Sequence, residues 1–185
     1  ADCKCPAPDQ SYERVCQDVL HSHSLDGPWQ RVNLSMPNWD WRNLNLGLES
    51  MAPVVLDNGT VLTLTRSWGT PAPYPNSALW LVRGSAWNGT YAKVDPSVAA
   101  QPFLPVTMED SFMYRDEIGY FHALFHIWDP TAVGAHAFSR DGLHWQLSPT
   151  RAYTTRVNTT DGDAVVYGRR ERPHLILDDE RRPTH

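Results

Sequence analysis

The chain repeats one pair of hairpin signatures, and that repetition restricts its fold more than any other property. Three stretches open alike: "MAPVVLDNGTVLTLTR" from Met51, "EDSFMYRDEIGYFHALFH" from Glu109 and "ERPHLILDDERRPTH" from Glu171. Each begins as a short apolar strand that runs into a polar turn, and the first two continue into a second apolar strand. Pro53, Ser111 and Pro173 take matching places, 58 and 62 residues apart. A second signature alternates with the first: "HSHSLDGPWQRV" from His21, "LVRGSAWNGTYAKV" from Leu81 and "HAFSRDGLHWQLS" from His136. Each sets a glycine turn (Asp26-Gly27, Asn88-Gly89, Asp141-Gly142) before a strand led by Trp29, Tyr91 or Trp145. Strands joined by Asx-Gly turns read as β-hairpins.

Two hairpins in each unit of about 60 residues make four antiparallel strands, the blade of a β-propeller. No stretch has a helical period, and 15 prolines and 11 glycines fit a chain that turns often. The expected architecture is all-β: a cysteine-containing segment over 1–20, then a partial β-propeller over 21–185, with blade starts near 51, 109 and 171. About three blades fit this length, whereas closed propellers have four to eight. An open fan would expose two long edges, so the chain reads as part of a larger propeller or as one completed by a partner chain.

A net charge of −5 leaves no basic stripe for phosphates, which argues against nucleic acid as a partner. The basic pairs Arg169-Arg170 and Arg181-Arg182 are interleaved with acids. No run of 18 apolar residues is present, so no membrane span is expected, and "ADCKCPAPDQ" lacks the apolar stretch of a signal peptide. Four N-x-S/T sequons, at Asn33, Asn58, Asn88 and Asn158, exceed the roughly one that ordinary composition supplies. They point to a secreted, extracellular glycoprotein. Cys3, Cys5 and Cys16 are odd in number, so one is free or pairs with another chain. They do not complete a zinc site. His122 and His126 share a strand face but offer two ligands only, so neither metal nor cofactor is expected.

The acids at the hairpin openings carry the functional reading. Glu109 and Asp110 stand side by side, in a place where carboxylates form strands poorly. Alternation turns one toward a central pocket and leaves the other to pack against Arg115 or an adjacent blade, while Arg115 and Asp116 shape the turn. Glu171 opens the next unit between Arg170 and Arg172. These openings resemble the five-bladed β-propeller glycosidases of glycoside hydrolase families 43 and 32, which include arabinanases, levansucrases and invertases. In those families acids open the innermost strands of successive blades. "EDSF" resembles their second acidic motif and "ERPH" the third, and the likeness runs from about His21 onward.

The resemblance implies a five-bladed propeller that acts on, or binds, a glycan containing furanosides or pentosides. It makes Asp110 the orienting carboxylate and Glu171 the proton donor. Ser111 replaces the families' proline, and Ala52 falls at the place of the base or nucleophile, with Glu49 three residues before it. Glycoside hydrolysis needs two carboxyl groups flanking the bond, so Ala52 keeps a non-catalytic carbohydrate-binding propeller in play. A structural glycoprotein of an extracellular assembly is the third reading. Loop tryptophans stack on sugar faces, which makes Trp39, Trp41, Trp68 and Trp128 candidate ligand contacts, together with Arg66 and His174.

Overall fold

The computed structural model describes residues 18–36, 49–68, 77–95, 97–98, 103–104, 106–129 and 131–184. Among them are twelve strands and no helix: β1 (Asp18–His21), β2 (Gln30–Asn33), β3 (Glu49–Val55), β4 (Val61–Trp68), β5 (Ser77–Gly84), β6 (Tyr91–Lys93), β7 (Met108–Arg115), β8 (Phe121–Asp129), β9 (Thr131–Ser139), β10 (Trp145–Leu147), β11 (Arg156–Asn158) and β12 (Ala164–Val166). Among the described residues no helix is long and apolar enough to cross a membrane. The three cysteines, Trp39 and Trp41 lie outside the described residues.

The strands form four antiparallel sheets. Two are four-stranded meanders, β3-β4-β5-β6 and β7-β8-β9-β10, and each holds the two hairpins expected of one sequence unit. β1 and β2 pair as the hairpin expected around Asp26-Gly27. A further hairpin, β11–β12, turns at Asp161-Gly162. The stretch from Glu171 forms a tight turn closed by a single bridge, Leu177 to Pro183, rather than a paired strand.

The core lies between the meanders because each turns one apolar face to the other. Leu62, Leu64, Leu79 and Leu81 of the first pack with Met108, Met113, Phe121, Ala123, Phe125, Ala135 and Ala137 of the second. Burying a side chain of the size of Leu64 or Phe125 contributes about 1.5–3 kcal/mol. Val61, Trp80, Val82 and Tyr91 point the other way and are covered by Leu34 and Met36, which follow β2. β7 lies against β3 and also meets β4 and β5, so the two hairpin openings are neighbours.

Register corrects the alignment of the units. Glu49 faces Arg66 and Ala52 faces Leu64, with a bulge between. In the second meander Glu109 faces His126 and Phe112 faces Leu124, again across a bulge. The offset is therefore 60 residues rather than 58, and Ala52 matches Phe112, not Asp110. Ser50 occupies Asp110's place, and both have φ of 52°. Arg172, with φ of 56°, is the third member of the set. Its turn repeats the others: Asp178 N–H donates to the Arg182 carbonyl at 3.0 Å, as Asp116 N–H does to Tyr120 and Leu56 N–H to Thr60, both at 2.8 Å. The three openings are thus Glu49-Ser50, Glu109-Asp110 and Glu171-Arg172. A slip of two residues keeps every side chain on its own face, so the hydrophobic pattern does not register it. Ala52 itself is a core residue, 5% exposed.

Candidate functional site

The bulge at the start of β7 separates the two adjacent acids. An extra residue on one strand kinks it and re-aims a side chain, and the left-handed backbone of Asp110 carries that kink. Glu109 goes inward. It forms an ion pair with Arg66 and accepts hydrogen bonds from His126 Nε2 at 2.8 Å and Trp128 Nε1 at 2.6 Å. Arg66 Nε donates to Ser77 Oγ at 3.0 Å, and Ser77 Oγ donates to the Met108 carbonyl at 2.9 Å. Every polar side chain in this knot except Trp128 is almost fully buried, and it ties β4 and β5 to β7 and β8.

Asp110 turns to the place where the three openings meet. Ser50 Oγ donates to its Oδ1 at 3.5 Å, His126 Nδ1 lies 3.6 Å from its Oδ2, and Arg172 Nε lies 3.9 Å from the same oxygen. Residues from all three openings therefore reach one carboxylate. Glu171 has Arg169 Nη1 at 3.3 Å, and the Arg169 guanidinium lies over the Trp128 ring, 4.6 Å from its centre. Trp128 joins the two halves, with its indole N–H on Glu109 and its face under Arg169.

The expected ligand residues divide accordingly. Asp110 stands where the openings meet, and Glu171 and Trp128 are linked through Arg169. Arg66 does not face a ligand: it is 6% exposed and serves Glu109 and Ser77. His174 packs on Phe112, with ring centres 4.4 Å apart. Trp68 ends β4 opposite Ser77, and its side chain lies outside the described residues, as does that of Asn33. Asn58 and Asn88 are exposed on hairpin turns and Asn158 at the end of β11. Asn58 Oδ1 also closes its own turn, accepting from Thr60 Oγ1 at 2.7 Å.

Sequence reasoning missed Tyr153 and a second polar chain. The Tyr153 hydroxyl is buried with no hydrogen-bond partner among the described residues. Burial, with Asp110 and Glu171 adding to it against Arg170, pushes the phenol up to about 12. The available signal was Gly134, a glycine inside β9, which marks close approach of another group. A Cβ at Gly134 would stand 2.2 Å from the Tyr153 ring.

In the second chain, His122 Nε2 meets Asp116 Oδ2 at 3.1 Å and His122 Nδ1 meets His136 Nε2 at 2.9 Å. Tyr114 stacks on His122 at 4.8 Å. Burial and the neighbouring His122 hold His136 below its ordinary 6.5. Burial acts to raise Asp116, but hydrogen bonds from His122, Tyr120 N–H and Ile118 N–H outweigh it and leave the group below 3.8. A lowered value means that the folded chain binds fewer protons than the unfolded one. His136's share of stability is therefore complete above pH 6.5 and is lost as pH falls below it; Asp116's share goes only below 3.8. The melting temperature accordingly falls between about pH 7.5 and pH 5, and His136→Leu flattens that fall. An unchanged slope in the variant would refute the assignment to His136.

Among the described residues no group of three or more His, Cys, Asp or Glu is arranged to hold a metal ion. No protein-family model, curated protein or solved structure matches this chain. Fold and site together define an all-β protein of antiparallel meanders, whose three strand openings meet at Asp110.

Proposed function

We propose that the chain is part of a secreted, glycosylated five-bladed β-propeller, similar to glycoside hydrolase families 43 and 32, whose cleft acts on a glycan containing furanosides or pentosides. Glu171 donates the proton to the leaving oxygen, and Asp110 orients and stabilises the reacting ring. One observation carries the reading. Three equivalent openings, each a glutamate followed by a left-handed residue, converge so that Ser50 and Arg172 both reach Asp110. A propeller brings the first strands of successive blades to its axis in this way, and glycoside chemistry needs carboxyl groups gathered there.

Register changes the residue at the first of the three openings. Ser50 rather than Ala52 stands at the first opening, preceded by Glu49. A serine hydroxyl positions water or substrate without supplying the second carboxylate, which leaves Asp110 as the partner of Glu171. Carbohydrate binding without cleavage is the alternative, and the arginines favour it: Arg172 lies 3.9 Å from Asp110 and Arg169 lies 3.3 Å from Glu171.

Reducing-sugar release from arabinan, levan, xylo-oligosaccharides and 4-nitrophenyl pentofuranosides tests the proposal. Hydrolysis by the wild type that drops at least about 100-fold in Asp110→Asn supports catalysis. Calorimetric binding without release supports the alternative. Neither release nor binding across the panel overturns both.

A further inference from the structure

We infer that the Tyr153 hydroxyl is a third ligand-contacting group of the Asp110–Glu171 cleft, donating a hydrogen bond to an oxygen of a polyhydroxylated ligand. The inference rests on the carbohydrate reading of that cleft. A buried hydroxyl without a partner has given up its hydration for nothing in return, and native structures rarely hold such groups without a reason. Here the surroundings fix the ring in place. Gly134 N–H donates to the Tyr153 carbonyl and Ala152 N–H donates to the Gly134 carbonyl, both at 3.1 Å. The ring lies against the bare Gly134 backbone, and the Arg170 guanidinium lies 5.0 Å from its centre. Arg170 is anchored by Nη1 donating to the Thr154 carbonyl at 2.8 Å.

The first meander shows what the fold uses when no tyrosine has to be seated. Arg66 faces Leu79 as His126 faces Gly134. Leu79 is fully buried in the core. The second meander gives up that leucine for a glycine, and the space receives a ring whose hydroxyl bonds to no described residue. Packing alone does not account for this, because a phenylalanine would fill the same space without burying an oxygen. Asp110 and Glu171 act on the phenol through their charge, yet neither is hydrogen-bonded to it. The phenol therefore stays protonated at neutral pH and is a donor. A ring hydroxyl or ring oxygen held between the two carboxylates is the acceptor that such a donor fits.

Tyr153→Phe removes only the oxygen, and two measurements decide. The first is the melting temperature without ligand, which stays level or rises because an unpaired buried hydroxyl is lost. A fall of several degrees would show that a protein group holds the hydroxyl, and would overturn the inference. The second is calorimetric titration with arabinotriose, run beside Asp110→Asn. About 10-fold weaker binding in both variants supports the inference. Weaker binding in Asp110→Asn with wild-type binding in Tyr153→Phe overturns the tyrosine's role and leaves the cleft standing. Wild-type binding in both variants, or none by the wild type, removes the carbohydrate reading and the inference with it.

Discussion

Replacing Glu109 by alanine lowers the unfolding free energy by about 3–5 kcal/mol, the cost of breaking a buried ion pair by removing one partner. The carboxylate is 6% exposed and takes three donors, from Arg66, His126 and Trp128. Its loss removes one anionic partner of the buried Arg66 guanidinium, and strands one nitrogen of a fully buried histidine. Glu109→Gln keeps an acceptor for Trp128 and His126 but gives up the ion pair, so it falls between alanine and the wild type. Urea unfolding followed by tryptophan fluorescence measures all three. A loss below about 1 kcal/mol in Glu109→Ala would place the pair among exposed bridges and overturn this account of the knot. The effect reaches function as well, because His126 touches both Glu109 and Asp110.

Glu171→Gln slows glycoside cleavage by about 10²–10⁴-fold if the side chain supplies the proton to the leaving oxygen. The dependence on leaving group makes the test specific. An alkoxide leaves poorly and needs that proton, whereas 4-nitrophenolate is stable without it. The variant's deficit is therefore large on natural oligosaccharides and at least about 10-fold smaller on 4-nitrophenyl pentofuranosides. An equal deficit on both makes Glu171 a binding or orienting group. The surrounding geometry makes the comparison informative, since an arginine, Arg169, stands 3.3 Å from this partly exposed carboxylate.

The meanders were legible in the sequence because their signal is local. Asn88-Gly89 and Asp141-Gly142 mark turns, and alternation along "VLTLTR" and "YFHALFH" marks paired strands. The correct interval between units was not legible. A two-residue slip preserves alternation, and the left-handed backbone of Ser50, Asp110 and Arg172 has no glycine to announce it. The division of labour between Glu109 and Asp110 was expected in outline. Its anchor was expected in Arg115 or an adjacent blade; Arg115 donates to Asp57 at 2.8 Å, and Arg66 of the neighbouring meander, 43 positions upstream, holds the carboxylate. Sequence distance hides such a pair until two sheets meet. Tyr153 was missed because its importance lies in what it lacks, a hydrogen-bond acceptor, and no residue pattern encodes that.

The Asp116–His122–His136 chain gives the two meanders different faces. With the 60-residue offset Asp116 and His122 take the places of Leu56 and Leu62, and His136, opposite Leu124, takes that of Leu81, opposite Leu64. The leucine face closes on the next meander, while the histidine face receives Tyr153 and His174 from the C-terminal segment. Tandem copies of one unit run the risk of joining in the wrong order, because similar surfaces accept one another. Here a misplaced copy would press leucines onto an imidazole pair and a carboxylate and strand their hydrogen bonds. The two seams are keyed like unlike plugs, so the chemistry of each face records which neighbour belongs to it.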